Sequence, residues 1–174
     1  MNTRNLTGWL LIVGPILTFL MIAIIYPAII GEGETSADAV KEAMAELELA
    51  RVLGMAGTLS FVSVFIGMTL LARSMQGDDN PGGAYAAVAG IVFTAVAALA
   101  ILASGLGLGA MDAAESNTAD GVTIELIGDG VFSPLFVFWG VANLLLGIAM
   151  VMQKNLHLIV AWLFVGWGVF MIAT

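Results

Sequence analysis

The sequence predicts an all-α fold, an integral membrane helical bundle with five transmembrane helices. Three observations carry that prediction. Five apolar runs cover about residues 8–30, 49–72, 84–110, 131–152 and 156–173. Each is close to or above the ~20 residues that a helix needs to cross a hydrocarbon core. No run contains Asp, Glu or Lys, and Arg51 and His157 stand only at run ends. The chain is 60% hydrophobic and 10% charged, where soluble domains carry ~25% charged residues. The 174 residues leave no room for a separate soluble domain, so 1–174 reads as one transmembrane bundle.

The first run carries Gly14-Pro15 and Tyr26-Pro27. Pro15 removes a backbone donor and predicts a kink, and Pro27 is expected to help end the span. Trp9 and Tyr26 sit near opposite ends, as interfacial anchors do. Gly8–Ile30 is longer than the ~7–15 residue core of a secretory signal. Ala37-Asp38-Ala39 lies too far past it to be its cleavage site. The run is expected to be a retained span.

Gly31–Glu48 follows. Gly31-Glu32-Gly33-Glu34 reads as a turn, and Thr35 with Asp38 three residues later resembles a capping box. Val40, Met44 and Leu47 recur at helical spacing. A short outer amphipathic helix running into span two is expected, with Glu48 and Arg51 placed to pair. Span two puts Ala56, Ser60, Ser63 and Gly67 on one face, where small residues let membrane helices approach closely. Asp78-Asp79-Asn80-Pro81-Gly82-Gly83 then breaks the chain.

Span three carries a stripe of Ala86, Gly90, Thr94 and Ala98 at four-residue spacing, which predicts a central, protein-surrounded helix. Gly105, Gly107 and Gly109 are expected to loosen its end. Met111–Gly130 reads as an acidic outer loop. Asp120-Gly121 is a turn signal, and Val122–Ile127 is β-prone, suited to a short strand or hairpin arm. The calcium-loop spacing fails there, because Ile127 falls where the bidentate Glu belongs. Spans four and five are joined by Gln153-Lys154-Asn155, a link short enough for an antiparallel hairpin.

Arg4, Arg73 and Lys154 flank the spans in phase, which places the N-terminus on the cytoplasmic side and the C-terminus outside. A plasma or inner membrane is the expected setting. The net charge of −8 argues against nucleic acid, whose phosphates need a basic footprint. The absence of cysteine removes disulfides, thiolate metal sites and cysteine nucleophiles. No span carries an acid or base to couple protons or ions. No Ser-His-Asp set, intramembrane carboxylate pair or metal-ligand cluster is visible.

The candidate residues are few. Asn143 is the one strongly polar side chain deep in a span, with Gly140 and Gly147 on its face. It is expected either to bond across helices or, with Ser60 and Ser63, to line a solute path. His157, at the start of span five, is the weak candidate for touching a cofactor. Gly90, Gly140 and Gly147 are the expected helix-packing positions. No metal site and no cofactor are expected.

Gly8-Trp9-Leu10-Leu11-Ile12-Val13-Gly14-Pro15, the acidic segment Ala37–Glu48 and the ending Leu70-Leu71-Ala72-Arg73 together resemble a loose set of uncharacterised prokaryotic multi-pass membrane proteins. The resemblance covers less than half of the chain. It implies a prokaryotic membrane setting and carries no activity or site residue. The leading expectation is a non-enzymatic structural or accessory membrane protein that packs with itself or in a larger complex, with the lipid bilayer as its other partner. The first alternative is a small-solute transporter or channel. The second is a membrane redox or lipid enzyme with a bound cofactor.

Overall fold

A computed structural model describes residues 2–154 and 157–173, and these form helices joined by turns. Asn155, which ends the expected four–five link, and Leu156, which opens the fifth run, lie outside the described residues. The helices are α1 (Thr3–Ile29), α2 (Ser36–Ala45), α3 (Leu47–Ser74), α4 (Gly83–Ser116), α5 (Thr118–Phe132), α6 (Leu135–Gln153) and α7 (Leu158–Ala173). Four stretches are long and apolar enough to cross a membrane: α1, α3, α4, and α5 with α6 as Thr118–Gln153. The fifth run gives α7, apolar throughout but only 16 residues long. At 1.5 Å per residue it spans about 24 Å, short of a ~30 Å hydrocarbon core.

The described surface is apolar where a soluble protein would be charged. Leu59, Ile91, Leu163, Ile159 and Trp9 are among its most exposed side chains. Such a surface is disfavoured in water and matched by acyl chains, so the long apolar helices mark a membrane protein.

α1 is α-helical over Thr3–Thr18, widens to a π-helix over Phe19–Ile25, and returns to α-helix over Tyr26–Ile29. The Tyr26 N–H donates to the Met21 carbonyl, five residues back. Pro27 has no N–H to continue the regular ladder, which fits the wider turn just before it. Pro27 lies in the last turn of α1, which ends two residues later at Ile29. Gly14 is the buried residue of the first α-helical stretch, and a Cβ there would come 2.7 Å from Ser63 Oγ.

α2 begins as its sequence requires. The Thr35 hydroxyl accepts from the Asp38 N–H at 3.2 Å and donates to the Asp38 carboxylate at 2.7 Å. Glu46, at φ −132° and ψ 50°, separates α2 from α3.

The acidic segment after span three departs from expectation. α4 continues unbroken through Gly105, Gly107 and Gly109 to Ser116. Asn117 then caps α5, its Oδ1 accepting from the Ala119 N–H at 3.1 Å. The β-prone Val122–Ile127 stretch and the expected acidic loop are helical. Strand propensity is a weak preference that tertiary context overrides, and here the cap and the packing at Gly121 decide. A Cβ on Gly121 would meet Ala114 Cβ at 2.6 Å and the Ala110 carbonyl at 2.7 Å. The glycine that signalled a turn serves close helix approach instead.

Span three is not the most enclosed. A third of its apolar window (33%) is buried, against 44% for Thr118–Gln153. Thr94 and Ala98 of the expected stripe are exposed, and the buried positions of the run are Ala86, Ala89, Gly90, Phe93, Val96, Ala100 and Ala110. The stripe's four-residue spacing drifts around a 3.6-residue helix, and bulky Phe93 and Val96 take the inner face.

The chain divides into two compact units. One comprises residues 1–11, 65–98 and 134–174, and the other residues 12–64 and 99–133. The first holds the α6–α7 hairpin. The second holds both acidic segments, joined where the Ser36 hydroxyl donates to Asp129 at 2.9 Å.

Candidate functional site

The α6–α7 hairpin starts from Lys154, which caps α6 in the left-handed conformation (φ 54°) with its N–H on the Met150 carbonyl. Glycines let the two helices approach to backbone contact. A Cβ on Gly168 would lie 2.6 Å from the Leu144 nitrogen and 2.7 Å from the Gly140 carbonyl. A Cβ on Gly147 would lie 2.7 Å from the Val165 nitrogen, and one on Gly140 would lie 3.0 Å from the Gly168 carbonyl. Gly140 and Gly147, singled out from sequence, thus stand at this contact. Their counterpart Gly168 was not singled out, although it and Ala161 form a small-residue pair seven apart. Gly90 differs: its Cβ would meet Ala72 Cβ and Gln76 Nε2 at 3.4 Å each, which leaves room for a methyl group.

Asn143 lies mid-way along α6 on the side of these glycines. It is only 3% exposed. With Met68, Trp139, Leu163, Phe164 and Trp167 it lines a cavity of about 190 Å³. Rings build the wall. Trp139 meets Phe65 edge-on at 5.2 Å between centroids, and Trp167 lies 5.6 Å from Phe170. Among the described residues none bonds the Asn143 amide. The Thr94 hydroxyl donates to its own helix at the Gly90 carbonyl. The amide opens onto the cavity, so its removal breaks no bond to a described residue. Asn143→Leu removes that group and strands no partner. Its thermal midpoint in detergent should equal or exceed the parent's, and a drop of many degrees would show a bond that this geometry lacks.

Ser60 and Ser63 belong to the other unit. Their hydroxyls donate locally, Ser60 to the Gly57 carbonyl at 2.7 Å and Ser63 to the Ser60 carbonyl at 2.6 Å. Ser63 also faces Gly14 of α1. Ser63 thus stands at the α1–α3 contact, and both hydroxyls are bonded within their own helix, a common use of hydroxyls in apolar helices. His157 is exposed, and its Nδ1 accepts weakly from the Ile159 N–H at 3.4 Å, in the manner of a helix cap.

The ion pairs seen among the described residues converge on Arg51. Its guanidinium bonds Glu48 at 3.2 Å and Glu115 at 2.9 Å, and it also bonds Asp112. Glu48 was expected from its spacing. Asp112 and Glu115 were not, because they come from the far end of α4, where an irregular loop was expected. One cation thus ties the start of α3 to the end of α4 and neutralises part of a crowded acidic surface.

No protein-family model, curated protein or solved structure matches the chain. The class is set by the helices alone: an all-helical membrane protein with four helices of spanning length.

Proposed function

We propose that the chain is a non-enzymatic multi-pass membrane protein, a structural or accessory subunit that packs with further copies of itself in the bilayer. The observation that carries this reading is a face of α4. Gly105 and Gly109 are four residues apart, and a Cβ on either would have open space around it. Ile101, one turn earlier, is 55% exposed. In lipid, helices associate through packing rather than hydrophobic drive, and glycines at this spacing let two backbones approach. Native mass spectrometry in mild detergent tests it. The parent should appear as a homo-oligomer, and Gly105→Leu should shift it to monomer while helical content stays unchanged. A parent that is monomeric at every concentration would contradict the proposal.

We further infer a plasma or inner membrane location with the N-terminus cytoplasmic, the C-terminus outside, and α7 completing a fifth crossing. Local thinning of the bilayer would accommodate so short a helix. Charge supports this orientation. The unit of residues 12–64 and 99–133 holds eleven acids against Lys41 and Arg51, a net −9. The other unit holds Arg4, Arg73 and Lys154 against Asp78 and Asp79, a net +1. The cysteine-free chain allows clean single-cysteine labelling. With an impermeant reagent on intact cells, cysteines at Glu34 and Asp120 should react and one at Asp79 should not. The reverse pattern would invert the topology.

A further inference from the structure

We propose that the Asn143 cavity binds the ring of a neutral, lipid-soluble aromatic carbonyl compound, the chemistry of a quinone headgroup. The occupant must be uncharged, because Met68, Trp139, Asn143, Leu163, Phe164 and Trp167 include no ionisable group. It must carry a polar atom. Asn143 is 97% enclosed by the 3% exposure noted above, and its amide offers two donors and an acceptor that no described residue takes. A carbonyl oxygen takes those donors, and the hydroxyl of the reduced ring would take the acceptor. The occupant is flat, because the walls include two indoles and a phenyl ring, which stack on π faces at low cost. It enters from lipid, because the lining side chains Leu163 and Trp167 are 65% and 52% exposed on the apolar surface of α7. At about 190 Å³ the cavity is smaller than the ~300–1,000 Å³ of sites that enclose whole ligands. It fits one ring system, with any tail left along the helices.

This inference is independent of self-association through α4. The probe is 2-methyl-1,4-naphthoquinone, and the protein is the full chain in lipid nanodiscs. The lack of cysteine prevents thiol adducts from imitating binding. Equilibrium dialysis against protein-free nanodiscs should show saturable retention, weakened on the order of tenfold in Asn143→Leu, as expected for the loss of one hydrogen bond. 2-Methylnaphthalene, which has the ring and no carbonyl, should not displace the quinone. Retention equal in Asn143→Leu and the parent would overturn the proposal, and so would equal competition by the hydrocarbon. Should Asn143→Leu fail to fold, Leu163→Trp fills the mouth of the cavity from an exposed position. Retention should then be lost, and unchanged retention would likewise overturn the proposal.

Discussion

Gly168→Ala should destabilise the protein more than any other single added methyl group on α6 or α7. The added carbon would sit 2.6 Å from the Leu144 nitrogen, 2.7 Å from the Gly140 carbonyl and 2.9 Å from Leu144 Cα. All three are backbone atoms, which cannot rotate aside as a side chain does. The helices must separate, and overpacking of this kind costs about 1–3 kcal/mol. Gly90→Ala provides the contrast. Its nearest neighbours stand at 3.4 Å and belong to side chains. It also relieves the entropy that glycine loses in a helix, about 0.5–1 kcal/mol. Detergent melting curves should therefore move in opposite directions for the two variants. A Gly168→Ala midpoint at or above that of Gly90→Ala would show that α6 and α7 do not meet at their backbones.

The second large effect belongs to Arg51. Arg51→Met keeps the apolar stem and removes the charge. Glu48, Asp112 and Glu115 then face one another with no cation among them. A drop of several degrees in melting temperature is expected at low salt, shrinking as salt screens the repulsion. Adding Asp112→Asn to Arg51→Met should recover part of the loss, because one repelling charge is gone. Additive losses from the two substitutions would mean that the residues do not act as one cluster.

Much of this architecture was legible in the sequence, and what was hidden has physical reasons. Apolar runs located the four long helices and the short fifth, because burial in lipid leaves an unbroken compositional trace. Thr35 and Asp38 announced the start of α2, because a cap is a local hydrogen bond. Met111–Phe132 misled, because acids, Asp120-Gly121 and β-branched residues are loop and strand signals on one chain. Whether Gly121 turns the chain or packs against Ala114 depends on a neighbour that the local pattern does not name. Span three misled for a related reason: a stripe of small residues shows which face allows close approach, not whether a helix occupies it. Asn143 was visible as the lone amide of its span. Its aromatic surroundings were not, because Met68, Trp139 and Trp167 come from three different helices.

Self-association through the open face of α4 is tested most directly by a cross-linking pattern. Ile101 lies on that face one turn before Gly105, while Leu59 on α3 is still more exposed, at 73%. In the cysteine-free background, Ile101→Cys chains in native membranes should form a disulfide dimer under mild oxidation, and Leu59→Cys chains should not. Adding Gly105→Leu should abolish the Ile101→Cys dimer. Cross-linking at Leu59 with none at Ile101, or a dimer that survives Gly105→Leu, would contradict self-association through this face.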